Sequence, residues 1–227
     1  MKQQAHQAYI NGNYDEAFKL YSELAKSNDP QALTTLGFFY QNGHSVKADI
    51  NEAIVWYEKA AILEEPIAYL NLALLYVHGN GVEKNATTAF NYFLKSAEKG
   101  LPDAQYEVAM MLENGIGTTK ELSQAAYWYE EAAKRGNMNA FNNLGVLFKE
   151  GHGVEQDFGK AFALFKRAAE NGLATAQFNL GAMYDKGDGC DQNGELSLEW
   201  CRKAAYQGHE KAKAIIKQLQ ENGTIVF

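Results

Sequence analysis

The 227-residue chain is expected to form an all-α protein, a solenoid of antiparallel helix pairs with about thirteen helices. Three observations carry that expectation. Small and apolar residues recur in columns 36 positions apart, a glycine closes the first helix of every repeat, and a two-helix unit is too small to bury its own apolar face. Neighbouring units must therefore stack and share a core.

Helix A of each repeat is read from three columns: Ala32, Ala68, Ala104, Ala140, Ala176; Leu36, Leu72, Val108, Leu144, Leu180; and Tyr40, Tyr76, Leu112, Phe148, Tyr184. Their spacing is that of a helix with one buried stripe. The small neighbours Gly37, Ala73, Ala109, Gly145 and Gly181 allow close approach. A stop series follows at Gly43, Gly79, Gly115, Gly151 and Gly187, where the chain needs a left-handed residue. Second glycines stand at 81, 117, 153 and 189, with Ser45 in the first repeat, and Val46, Val82 and Val154 can plug the loop. Helix B carries Ala53, Ala89, Ala125, Ala161, Ser197, then the pairs Trp56-Tyr57, Tyr92-Phe93, Trp128-Tyr129, Leu164-Phe165, Trp200-Cys201, then Ala61, Ala97, Ala133, Ala169, Ala205. Gly100, Gly136, Gly172 and Gly208 end four of these helices, and Glu64 with Pro66 ends the first.

These columns place repeats at 29–64, 65–100, 101–136, 137–172 and 173–208 of one solenoid domain spanning 1–227. Residues 1–28 read as a shorter tetratricopeptide-type cap, with a turn at Gly12-Asn13-Tyr14 and Ala17, Leu20, Tyr21, Leu24 and Ala25 lining its second helix. Residues 209–227 read as a capping helix with Ala212 and Ile216 in register, followed by the apolar tail Thr224 to Phe227. That tail either folds back on the cap or is free to bind.

The pattern A-x-x-x-L-G-x-x-Y-x-x-G-x-G-V followed by A-x-x-W-Y-x-x-A-A-x-x-G, over residues 29–208, resembles the Sel1-like repeat family, a relative of tetratricopeptide repeats. Departures are Leu164 and Cys201 for aromatics, Thr118 and Cys190 for the loop valine, and Ser45 for the glycine. The resemblance implies a right-handed superhelix with a concave helix A face that serves as a protein-interaction scaffold. It also implies that cysteine-rich exported members carry a cysteine pair in nearly every unit. A single pair, Cys190 and Cys201, is read as two free thiols, with a disulfide as the alternative.

A formal net charge of -7, with no basic stripe, argues against nucleic acid. The apolar stretch Ile67 to Val77 is too short for a bilayer and contains Asn71, so no membrane insertion is expected. The start Met1 to Gln7 lacks a secretory apolar stretch, which makes the chain cytoplasmic as written and periplasmic or secreted if a signal was trimmed. Neither metal nor other cofactor is expected. His44 and His152 share a loop column but lie three repeats apart, and no histidine has ligands at zinc spacing. Glycines such as Gly151-His152-Gly153 close helices, whereas a phosphate loop opens one. No Ser, His and Asp arrangement points to a hydrolase.

With the Leu36 and Tyr40 columns inward, helical geometry turns out three others: Thr34, Leu70, Tyr106, Asn142, Phe178; Thr35, Asn71, Glu107, Asn143, Asn179; and Phe38, Leu74, Met110, Val146, Ala182. Asparagine amides can bond a peptide backbone in both senses, and rings supply anchoring area. Asn71, Asn143, Asn179, Phe38, Leu70, Leu74, Tyr106, Met110 and Phe178 are accordingly expected to hold an extended peptide or partner helix. The alternative for Phe38, Leu74 and Met110 is packing between successive A helices. The functional expectation is a non-catalytic, monomeric adaptor with a protein or peptide ligand; the alternative is an inhibitor or immunity protein that wraps a bacterial toxin or enzyme.

Overall fold

A computed structural model of the chain describes residues 1–222; the Thr224 to Phe227 tail lies outside the described residues. Among those residues there are thirteen helices and no strand. The fold is all-α and solenoid-like. Two compact units are distinguished, Met1–Lys120 and Glu121–Phe227. The first holds α1 (Lys2–Ile10), α2 (Tyr14–Ala25), α3 (Pro30–Asn42), α4 (Ile50–Ile62), α5 (Pro66–His78), α6 (Ala86–Glu98) and α7 (Pro102–Asn114). The second holds α8 (Leu122–Lys134), α9 (Met138–Glu150), α10 (Phe158–Glu170), α11 (Ala174–Lys186), α12 (Gly194–Tyr206) and α13 (Glu210–Glu221). Within each unit every helix packs on the next in sequence. In the repeats, odd-numbered helices from α3 to α11 are A helices and even-numbered ones from α4 to α12 are B helices.

Side-chain caps start two of the A helices and four of the B helices. Asp29 and Asn137 accept a hydrogen bond from the third amide of their A helices, at 2.9 Å each. Asp49, Asn85, Asp157 and Asn193 do the same for B helices, satisfying amides that have no partner inside the helix. These B caps have a second duty. Their own N–H groups donate to carbonyls of the preceding A helix: Asp49 to Tyr40, Asn85 to Tyr76, Asp157 to Phe148 and Asn193 to Tyr184, at 2.8–3.1 Å. One residue thus starts helix B and ties it to the end of helix A.

The hairpin closes by setting a small residue against a ring. Tyr57, Phe93, Tyr129 and Phe165, the second members of four helix B pairs, are fully buried, as Cys201 of the fifth nearly is, whereas the first member is only half-buried. A Cβ on Gly37 would stand 2.5 Å from the Tyr57 ring, and one on Gly145 would stand 2.9 Å from the Phe165 ring. The alanine columns at 32, 68, 104, 140 and 176 have no exposed surface. In the N-terminal pair, Ala17, Tyr21 and Ala25 are buried, with Leu20 and Leu24 packed beside them. Val46 and Val82 pack against the unit 1 core, as plugs should.

The second loop glycine has a reason that periodicity alone does not reveal. A Cβ on Gly117 would lie 2.2 Å from the Ala86 carbonyl oxygen, and one on Gly189 would lie 2.2 Å from that of Phe158. On Gly153 it would be 2.4 Å from the Leu122 carbonyl carbon, and on Gly81 2.8 Å from the Ile50 side chain. Each struck residue is the first of the preceding repeat's helix B. At Gly117, Gly153 and Gly189 the A–B loop of one repeat therefore lies backbone to backbone on the start of the helix B before it, whereas at Gly81 it lies on the Ile50 side chain. Positive φ adds to the demand, at 69° for Gly117. Ser45 is tolerated in this column, at φ 63°, because it meets the short N-terminal helix pair and hydrogen-bonds Asp15 on α2. Glu64 holds the left-handed position, φ 59°, that glycine takes in later repeats.

Two substitutions separate these demands. Gly117→Ala adds both steric overlap with backbone and left-handed strain, and should lower unfolding free energy by about 2 kcal/mol or more. Glu64→Gly relieves the left-handed strain but also gives up the exposed Glu64–Lys99 ion pair at 2.7 Å and loosens the unfolded chain, so it should raise it by no more than about 0.5 kcal/mol. Urea midpoints at constant slope measure both; equal and small effects would show that the loop gives way.

Candidate binding face

The expected face residues are half-buried in every case, held up by A helices whose opposite side is in the core. The two units use them differently. In the first unit, α1, α3 and α5, with Tyr21 of α2, line a cleft of about 690 Å³. Its walls include Tyr9, Gln31, Thr35, Phe38, Ile67 and Asn71, with Lys2, His6 and Glu65 also lining it. Lys2 is paired with Asp29 at 2.9 Å. Asn71 makes no side-chain hydrogen bond to another described residue, so its amide is available to a ligand. The two threonine hydroxyls instead donate within their own helix, Thr34 to Pro30 and Thr35 to Gln31. Ile67 remains 45 % exposed.

Phe38 has a structural attachment on one side. Its ring meets Tyr9 at 6.2 Å and His44 at 5.7 Å, both edge-on, and His44 stacks on Tyr14 at 4.4 Å. This aromatic cluster joins the first helix pair to α3 and makes Phe38 a wall of the cleft more than a free ring. Leu70 and Leu74 on α5, and Tyr106 and Met110 on α7, stand half-buried on the corresponding faces.

Glu107 occupies on α7 the position that Asn71 holds on α5. Burial raises its carboxyl above the ordinary value of 4.5, and the negative charge of Asp103 one turn away raises it further. No cation is paired with Glu107 among the described residues.

In the second unit the asparagines bond one another. Asn179 donates to Asn142 at 2.9 Å, Asn142 donates to Asn143 at 3.1 Å, and Asn143 donates to the Tyr129 hydroxyl at 3.1 Å. Asn142, 6 % exposed, is the buried centre of this ladder. Asn143 and Asn179 thus already use a donor inside the fold, on Tyr129 and Asn142 of the preceding repeat, partners that a single helix cannot show. Phe178 stacks on His209 at 4.5 Å, and the His209 Nδ1 accepts the Ala212 amide to cap α13. The helix B caps, the Tyr9 and Ile67 walls and the His209 cap were not singled out from sequence. The cap column of Asp and Asn at 49, 85, 157 and 193 carried a readable signal; the walls depend on which helices become neighbours.

Cys190 and Cys201 are both free. Burial pushes both thiols up, aided at Cys190 by Asp191 and Asp188. Among the described residues no group of His, Cys, Asp or Glu is arranged to hold a metal ion, and no helix is long and apolar enough to cross a membrane.

The Sel1 repeat family model matches residues 6–29, 30–64, 66–101, 102–137, 140–173 and 174–209. The chain belongs to the Sel1 repeat family. The first match shows that the short N-terminal pair is itself a Sel1 repeat. A Sel1 repeat protein from Oxalobacter formigenes is 28 % identical, with a TM-score of 0.90 over 96 % of this chain and 89 % of that one. A protective antigen of uropathogenic Escherichia coli with an SLR fold is 30 % identical, with a TM-score of 0.87 over 96 % of this chain. This chain spans about half of that protein's length, 48 %. An immunity protein from Pseudomonas aeruginosa shares the fold at 18 % identity, with a TM-score of 0.51 over 89 % of this chain and 81 % of that one. A search of curated proteins finds no match. Sel1 repeats are in general non-catalytic scaffolds for protein interaction.

The two amide environments predict different stabilities. Asn179→Ala strips Asn142 of its donor in a buried setting and should cost about 1–2 kcal/mol, whereas Asn71→Ala should stay within about 0.5 kcal/mol of wild type. Chemical denaturation of both variants decides it. For Glu107 the folded-state value is raised, so its favourable contribution is present below about pH 4.5 and is lost as pH rises through the elevated value. Glu107→Gln should therefore melt higher than wild type at pH 7, and the difference should vanish near pH 4; thermal scans at the two pH values check the sign.

Proposed function

We propose that this Sel1 repeat protein is a non-catalytic adaptor that holds an extended peptide or partner helix on its concave helix A face. The observation that carries the reading is the first-unit cleft of about 690 Å³, where an unbonded amide, Asn71, lies beside apolar walls at Phe38 and Ile67. Shape and apolar area would anchor the ligand, and the amide would bond its backbone. Leu70, Leu74, Tyr106 and Met110 extend the same face along the repeats. Asn143, Asn179 and Phe178 belong to the second unit's face, where their internal bonds present a pre-ordered surface in place of free amides.

A second reading, an inhibitor that wraps a toxin or enzyme, is favoured by the net charge of -7, which would steer a basic target. The immunity-protein likeness, at 18 % identity, extends to fold alone.

Affinity capture with the full chain, followed by cross-linking, tests the surface. Adducts should fall on the A helices, and Ile67→Glu should weaken capture at least about tenfold while the melting temperature stays near wild type. Adducts confined to the outer face of the B helices would overturn the choice of surface.

A further inference from the structure

We propose that Glu107 makes the A face of the first unit selective for an extended peptide carrying an arginine or lysine about three residues from an apolar anchor. This rests on the adaptor reading and names the chemistry of the ligand. Three features meet at this position. Glu107 continues the column that places Asn71 in the cleft wall, and it is half-buried. It has neither a hydrogen bond nor an ion pair to another described residue. Its nearest charged neighbour on the helix, Asp103, is also negative, and burial together with Asp103 makes the ionised carboxyl unfavourable where it stands. A half-buried carboxylate without a counter-charge weakens the fold, and an incoming cation would relieve that penalty on binding.

The flanking residues set the rest of the ligand. Tyr106 and Met110 lie on the same helix face, with Leu70 and Leu74 one repeat earlier, so the ligand should be cationic at one point and apolar elsewhere. Packed helices stand about 8–10 Å apart, and an extended chain advances about 3.3 Å per residue, so neighbouring A helices read positions about three residues apart. A guanidinium is the better fit, because its planar fork can bond the carboxylate bidentately and is more weakly hydrated than an ammonium. The chain's acidity, -7 overall, adds attraction at longer range.

The test uses the full chain against a randomised peptide-display library. Enriched sequences should pair Arg or Lys with an aliphatic or aromatic residue about three positions away. For a synthetic peptide chosen from them, replacing its arginine by citrulline should weaken binding at least about tenfold. Glu107→Gln, expected to fold more stably at neutral pH, should bind both peptides alike and at the citrulline level. Enrichment without basic residues, or an arginine preference that survives Glu107→Gln, would overturn the proposal. Peptides that ignore charge yet lose binding in Ile67→Glu would remove the Glu107 subsite and leave the adaptor face standing. Peptides indifferent to both variants, or no enrichment at all, would remove both.

Discussion

The backbone contact beneath the second loop glycine is the constraint on which the stacking depends. Gly117, Gly153 and Gly189 each rest on the backbone of the first residue of a helix B 31 positions earlier, with no room for a side chain in between, and Gly81 rests on the side chain of the corresponding residue, Ile50. That contact fixes how far one hairpin is offset from the previous one, since backbone cannot yield as a flexible side chain can. The loop must also be pinned at its other end. The helix B cap residues do this by donating to the last turn of helix A while accepting from their own first turn.

With the spacing set by backbone, the interior can be filled by a simple rule. A small residue on helix A faces a ring on helix B, and alanine columns let the helices approach. The burial of Tyr57, Phe93, Tyr129 and Phe165, beside half-buried first members such as Trp56 and Trp128, shows that the second position carries this task. Stability therefore resides in the A–B contact and the loop. The remaining side of helix A varies in chemistry, from Thr35, Asn71 and Glu107 in the first unit to Asn143 and Asn179, which bond across repeats, in the second. This division of labour is what a repeat scaffold needs to acquire different ligands on one architecture.

The two units show how differently the same column can be used. Asn71 is unbonded beside a cleft, whereas Asn143 and Asn179 are tied through Asn142 to Tyr129. The difference comes from neighbours one repeat away: Leu70 precedes Asn71, while Asn142 precedes Asn143 and can bridge to the next helix. Glu107 is a third case, a carboxyl held where its charge is unfavourable. Such departures from local stability are where a scaffold's surface becomes selective.

By itself the sequence determined the helix count, the 36-residue repeat, the stop glycines and the turn at Gly12-Asn13, because periodicity and left-handed glycine demands are local properties of the chain. It also identified the columns from which any A-face site must be drawn. Only the tertiary structure decided that the second glycine is required by the preceding helix B, that Tyr9 and Ile67 wall a cleft with Phe38 and Asn71, and that two of the three singled-out asparagines are bonded internally. Those facts depend on residues 14 or more positions apart meeting in space. Helical periodicity says which side a residue faces, but packing between repeats chooses what it meets there.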